Sequence, residues 1–284
     1  MSYAERGGCR IYFELRGDGQ SPLLVMIRGL ARSSSYWGPL LPRLAPHLRL
    51  LLVDNRGVGR SDATRGRYTT RQLADDVAAV MDAARVERAH VFGMSLGGMI
   101  AQELALAHGD RIDRLVLGCT TPGGSRARRP SPGVQLAMLL AIVGRPERLV
   151  RILVSDASLE KHPEIRDRWL ELARTEPVPL RGLFGQLAAA RRHDAFDRLA
   201  GITNPTLVIT GDDDALISPE NSRLLASRIP NATLTTIRGA RHDFTTDRPE
   251  AAAQAIVTFL SAPNRVPVSP SAVDLPEPEL PRRT

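Results

Sequence analysis

The chain has 284 residues, 43% of them hydrophobic, with a formal net charge of +7. That is long for one core, normal for a large α/β domain with an insertion, and apolar enough to bury it. The positive balance does not point to nucleic acid: of 38 basic residues only Lys161 is a lysine, the arginines are scattered, and 4% aromatics leave no stacking platform for single strands.

The first residues, Met1-Ser2-Tyr3-Ala4-Glu5-Arg6, lack a charged region followed by an apolar core, so no secretory signal is expected. Apolar runs then predict strands near Arg10 to Arg16, Leu23 to Ile27, Arg49 to Val53, Ala89 to Phe92, Arg114 to Gly118, Thr206 to Thr210 and Thr233 to Ile237. Helical spacing of apolar residues alternates with them over Tyr36 to Ala45, Thr70 to Ala84, Leu96 to His108, Glu220 to Arg228 and Pro249 to Leu260. Such alternation predicts a mainly parallel sheet covered on both faces. The exception is Thr121 to about Leu199, which shows helical periodicity alone and predicts a helical cap. No repeat period is visible. The longest apolar stretch, around Val134 to Val143, is too short to span a bilayer, so a cytoplasmic protein without a membrane partner is expected.

Three short segments carry chemistry. Gly93-Met94-Ser95-Leu96-Gly97 follows the apolar segment Ala89 to Phe92 and opens a helical stretch, the context of a nucleophile elbow. With this many glycines the pattern alone would arise about 0.1 times by chance, so its support comes from elsewhere. After the run Pro205 to Thr210 comes Gly211-Asp212-Asp213-Asp214, and after Ala232 to Ile237 comes Gly239-Ala240-Arg241-His242. Serine, acid and histidine thus appear in that order. Each lies just past a predicted strand, where an open α/β sheet gathers its reactive groups.

On these residues the chain, from about Tyr12 to Leu260, resembles the serine α/β-hydrolase superfamily, in its esterase and lipase-like branch with a helical cap. Leu23 to Leu30 looks like the strand and oxyanion loop of that family, and Asp54-Asn55-Arg56-Gly57-Val58-Gly59-Arg60-Ser61 is similar to its D-x-R-G-x-G-x-S turn. The resemblance implies a doubly wound, mainly parallel eight-stranded sheet. It divides the chain into core residues 1–120, a helical cap at 121–199, core residues 200–261 and a proline-rich tail at 262–284. It also implies a catalytic triad of Ser95, Asp214 and His242, with the backbone N–H groups of Leu30 and Leu96 as the oxyanion hole. No metal or organic cofactor is implied.

Among the three aspartates, Asp214 matches the fourth position of the family's G-x-x-D, Asp213 is the runner-up, and Asp212 is expected to cap the turn. Arg28 stands where the family has a histidine and is taken as structural. Asp243 is expected to start a helix. The cluster Arg126, Arg128 and Arg129 is a candidate for the cap entrance, where it would favour anionic substrates. Eleven apolar cap residues, from Met138 through Leu149 and Trp169 to Leu187, are candidates for the substrate pocket, most of them expected in the cap core.

Several activities of related enzymes are disfavoured. Dehalogenases and epoxide hydrolases of this fold use an aspartate nucleophile, whereas position 95 is serine. Prolyl aminopeptidases and carbon-carbon bond hydrolases usually place tryptophan where this chain has Leu96 and Asp243. Hydroxynitrile lyases need a lysine near the pocket, and Lys161 falls in the cap. Carboxylic ester hydrolysis of a small-molecule substrate is the leading expectation. Lactone (enol-lactone) hydrolysis or cofactor-free perhydrolysis comes second, and a small-molecule-binding protein on a hydrolase scaffold third. Cys9 lies near an early predicted strand and Cys119 just after a later one, and the implied doubly wound order does not make those strands neighbours, so no disulfide is expected. The histidines other than His242 show no metal-ligand spacing.

Overall fold

The computed structural model describes residues 2–17, 19–142 and 146–263, with the side chains of 139–146 excepted. The proline-rich tail expected at 262–284 lies outside the described residues from 264 onward.

Eight strands form one sheet: β1 (Ser2–Arg6), β2 (Cys9–Arg16), β3 (Leu23–Ile27), β4 (Arg49–Val53), β5 (Ala89–Met94), β6 (Ile112–Gly118), β7 (Thr206–Gly211) and β8 (Ala232–Ile237). Their order is β1-β2-β4-β3-β5-β6-β7-β8. β2 pairs antiparallel with both β1 and β4, and every later pairing is parallel. Seven of these strands coincide with predicted runs. The eighth, β1, was not predicted. It is an edge strand in which only Ala4 is fully buried, joined to β2 by Gly7 and Gly8 at φ 57° and 69°. Both central residues have the positive φ that a tight hairpin turn requires, and glycine adopts it without a Cβ penalty.

The sheet is apolar on both faces because successive side chains alternate across it. Val25, Ile27, Leu51, Val91 and Leu115 pack under α2 (Thr70–Ala83) and α3 (Leu96–His108). Leu24, Met26, Leu50, Leu52 and Phe92 face the opposite layer, which includes α11 (Pro249–Ser261). Thr69 caps α2 by accepting from Gln72 N at 3.0 Å. The helix predicted over Tyr36 to Ala45 is instead a 3₁₀ turn, Ser34–Leu40, and a four-residue α1, Leu41–Leu44. Gly38 breaks it at φ 41°, ψ −119°. Pro39 brings no N–H, and a proline disfavours helical backbone at the residue before it.

Between β6 and β7 the elements with four or more residues are all helical: α4 (Pro132–Ile142), α5 (Pro146–Leu153), α6 (Asp156–Lys161), α7 (Glu164–Thr175), α8 (Leu180–Arg192) and a 3₁₀ turn, Phe196–Gly201. The excursion closes on itself at its base, where Gly124 N donates to His193 O at 3.0 Å and Ala195 N to Pro122 O at 2.8 Å. It carries a small core of its own, Val150, Leu153, Val154, Trp169 and Leu172, completed by Tyr36. Close backbone approach binds it to the sheet domain. A Cβ on Gly182 at the start of α8 would fall 2.1 Å from Gly57 O, so that contact admits only glycine. No helix among the described residues is long and apolar enough to cross a membrane. Cys9 and Cys119 are both buried and free.

Candidate active site

β5 is buried along its whole length and ends against α3, with Ser95 at the junction in a left-handed backbone conformation, φ 57°, ψ −121°. For a residue with a Cβ such a conformation costs about 1–3 kcal/mol and persists only where the surroundings impose it. Here they do. Ser95 N donates to Gly118 O at 2.8 Å, and Ser95 O accepts from Thr120 Oγ1 at 2.7 Å and Gly98 N at 2.9 Å. The flanking glycines are obligatory. A Cβ on Gly93 would sit 2.2 Å from Gly97 O, and one on Gly97 would sit 2.0 Å from Ile27 O.

The loop after β7 presents the three aspartates to different partners. Asp212 accepts from Gly239 N at 2.7 Å, and Asp213 pairs with Arg241 at 3.1 Å. Asp214 is buried, and its Oδ2 lies 2.8 Å from His242 Nδ1. Its other oxygen accepts from Leu216 N at 2.9 Å and Ile217 N at 2.8 Å, so the carboxylate is fixed in orientation. A carboxylate can only accept, so Nδ1 carries the imidazole proton and Nε2 keeps its lone pair. The His242 loop is braced by Asp247, which accepts from Arg241 N at 2.7 Å and, from the helical excursion, from Ser155 N at 2.8 Å and Ser155 Oγ at 2.7 Å. Asp243 N donates to Leu153 O at 2.7 Å.

Arg28 is structural in the way its position suggests, and its partner is Asp243. The two form a buried ion pair, with Arg28 also stacked 4.6 Å over the Trp37 ring and donating to Thr245 Oγ1 at 3.3 Å. Asp243 does open a short helix, α10 (Phe244–Asp247), but its side chain turns to Arg28 rather than capping it. Thus the residue at the end of β3 is tied directly to the residue after His242. The following loop, Leu30 to Ser33, is held from both sides. Asp54, in the turn after β4, accepts from Ser34 N at 2.7 Å, and Gln186 of α8 accepts from Ala31 N at 2.8 Å while donating to Arg56 O at 2.9 Å. Gln186 was not foreseen from sequence, because its role depends on how α8 rolls against the sheet. The N–H of Leu96 begins a helix and that of Leu30 lies outside any element, so neither is consumed by regular backbone pairing.

Ser95, His242, Gly29, Leu30 and Leu96 line one cavity of about 170 Å³. Its other walls are mostly apolar and come from Met138, Leu149, Leu153 and Trp169 of the helical excursion, Met94 and Met99, and Leu216 and Ile217 beside Asp214. Of the predicted apolar candidates, Met138, Leu149 and Trp169 reach it, whereas Phe184 is exposed at 64%. Leu139, Leu140 and Ile142 lie outside the described side chains. Arg126, Arg128 and Arg129 do not line the cavity; Arg128 pairs with Glu220 at 2.6 Å. The set among the described residues that converges at metal-ligand distance is Cys119, Asp214 and His242, within 4.8 Å of one another. Burial pushes the Cys119 thiol well above its usual range, with the Asp214 charge adding to it, and a neutral thiol is a poor ligand. His193 is likewise buried and held to about 4 by desolvation, packed between Thr70 Oγ1 at 3.1 Å and Gln102 Oε1 at 3.3 Å, away from the cavity.

A strained serine on a strand-to-helix turn, followed by an acid after β7 and a histidine after β8, sits on a sheet whose family model, that of the α/β hydrolase fold, matches residues 22–249. The chain belongs to the α/β-hydrolase fold family. A putative carbamate hydrolase RutD from Caulobacter sp. (strain K31) is 32% identical over 265 residues, 88% of this chain and 96% of the relative. A poly(3-hydroxyalkanoate) depolymerase from Ectopseudomonas oleovorans is 32% identical over 246 residues, 84% of each protein. The crystal structure of the enol-lactonase from Burkholderia xenovorans LB400 matches with a TM-score of 0.81 at 28% identity, covering 92% of this α/β-hydrolase and 100% of that chain. These likenesses extend over most of each protein and are not confined to the elbow.

Proposed function

We propose that this α/β-hydrolase cleaves carboxylic esters of small acyl groups by two-step acyl transfer through Ser95. One observation carries the reading: Ser95, on its strained turn, and His242, oriented at 2.8 Å by buried Asp214, line the same small apolar cavity. His242 Nε2 takes the Ser95 hydroxyl proton as Oγ bonds to the ester carbonyl carbon, while Asp214 stabilises the imidazolium. The Leu30 and Leu96 N–H groups are the donors for the oxyanion, aided by the N-terminal dipole of α3. His242 then protonates the departing alkoxide as the carbon–oxygen bond breaks. Water repeats the cycle on the acyl-enzyme, losing its proton to His242 and releasing a carboxylic acid and free Ser95.

The helices between β6 and β7 serve as the cap that sets the acyl size. A dry cavity of about 150 Å³ holds a benzene-sized guest, so a space of this size favours short acyl chains. Hydrolysis of p-nitrophenyl esters from acetate to palmitate, by wild type and Ser95→Ala, tests the reading. Activity peaking at short chains and absent in Ser95→Ala is expected; activity on these esters that survives the substitution refutes it. A lactone is the second reading, favoured by the likeness to the enol-lactonase. The same atoms react there, the alcohol remaining tethered to the acyl group.

A further inference from the structure

Of the arginines close to the active-site loops, four have anionic partners, among them Arg241, which reaches Asp213 at 3.1 Å and Asp156 at 2.9 Å. Arg28 is paired with Asp243, Arg56 grips both oxygens of Asp76 at 2.7 and 2.8 Å, and Arg60 reaches Asp54 at 3.1 Å. Arg32 has none. It lies two residues beyond Leu30 and lines the cavity that holds Ser95. Its guanidinium lies against two rings that meet edge to face, 4.7 Å from the Tyr36 centroid and 5.2 Å from that of Trp169. Nη1 donates to Ala31 O at 3.0 Å, Nε is covered and has no acceptor, and no carboxylate pairs with the group among the described residues.

The rings do not neutralise it. Burial pushes the Tyr36 phenol upward, so that ring stays uncharged, and the nearby Asp243 carboxylate is already engaged by Arg28. Burial also lowers Arg32 from its ordinary value. A guanidinium remains protonated in proteins even so. Arg32 is half-buried, and a covered polar donor such as its Nε is ordinarily satisfied. Because the two rings lie to one side of it, the guanidinium keeps N–H groups able to receive a planar anion.

We propose that Arg32 anchors a carboxylate on the acyl portion of the substrate, so that the preferred substrates are esters or lactones of short dicarboxylic acids. The carboxylate would pair with the guanidinium edge while the far carbonyl reaches Ser95, and the apolar wall between them covers the connecting methylenes. Arg32 thereby acts as a specificity residue. The proposal rests on the ester reading for its reacting end and on Arg32 alone for its charged end, and the two are tested separately.

Mono-p-nitrophenyl glutarate and p-nitrophenyl pentanoate differ by a carboxylate in place of a terminal methyl. Wild type should favour the glutarate in kcat/KM. That ratio should fall about ten- to a hundred-fold in Arg32→Met, the worth of a charge-assisted hydrogen bond, mainly through KM, with Arg32→Lys retaining part of it. A wild-type ratio at or below one overturns the proposal without any variant, as does an unchanged ratio in folded Arg32→Met. The second arm needs no turnover: Ser95→Ala protein is titrated with monomethyl glutarate and with methyl pentanoate, following tryptophan fluorescence, since Trp169 contacts Arg32. Saturable binding of the glutarate alone, lost in Ser95→Ala/Arg32→Met, supports the anchor even if no ester is hydrolysed, an outcome that would sink the ester reading instead. Equal binding of both ligands, or binding of neither, overturns the anchor.

Discussion

The Arg28–Asp243 pair makes a strong prediction because it is buried and joins the loop after β3 to the loop that carries His242. Their side chains are 3% and 2% exposed. Arg28→Met keeps most of the volume over Trp37 but leaves the Asp243 carboxylate in a covered site with only the Thr245 hydroxyl as a donor from a side chain. Removing one partner of such a pair costs about 3–5 kcal/mol, because the remaining charge stays desolvated. Loss of the stacked cation adds up to about 2 kcal/mol, partly offset by methionine packing on the ring. The double variant Arg28→Met/Asp243→Asn removes the stranded charge, so it should recover at least about 2 kcal/mol relative to the single one. Urea unfolding at neutral pH, followed by tryptophan fluorescence and circular dichroism together, measures both. A single variant within about 1 kcal/mol of wild type, or a double variant no more stable than the single, would refute the assignment of Arg28 as the counterion that Asp243 requires.

Three further outcomes are expected. Asp214→Asn should leave the fold intact and lower kcat by about 10⁴, since the amide cannot hold the imidazole in the reactive tautomer; a loss under ten-fold in ester turnover would count against its role. Gly97→Ala places a methyl 2.0 Å from Ile27 O, in backbone that cannot yield, so poor soluble expression and a melting temperature lowered by more than ten degrees are expected. Stability should fall on acidification because of His193, which is held to about 4 in the fold against 6.5 when unfolded. Between those values the unfolded chain binds a proton that the folded one refuses, so its contribution is complete above pH 6.5 and lost progressively toward pH 4, by roughly 3 kcal/mol at most. His193→Asn should flatten that part of the stability profile, measured by urea midpoints across the range, and an unchanged slope would reject the assignment.

Much of the sheet was legible because buried parallel strands are continuous apolar runs, and β3 and β4 match their predicted limits. β1 escaped because an edge strand covers only some of its side chains, and its one clear signal was the Gly7-Gly8 turn. Ser95, Asp214 and His242 each belong to a local motif at the end of a strand, so their neighbours in sequence announced them. Residues whose role depends on the packing of one element on another were not announced. Gln186 reaches the loop after β3, Asp247 ties the His242 loop to Ser155, and Arg32 enters the cavity only through tertiary placement. Helical periodicity likewise identified the apolar residues between β6 and β7 without separating Trp169, which reaches the cavity, from Leu183, a buried residue of α8 that does not line it.

In the proposed reaction Ser95 is a nucleophile activated by His242. Intact-mass measurement after brief exposure to a fluorophosphonate, with peptide mapping, tests it most directly. One adduct on Ser95 is predicted in wild type, greatly slowed in His242→Gln and absent in Ser95→Ala. A folded wild-type protein that acquires no adduct, or acquires it on another residue, would contradict it.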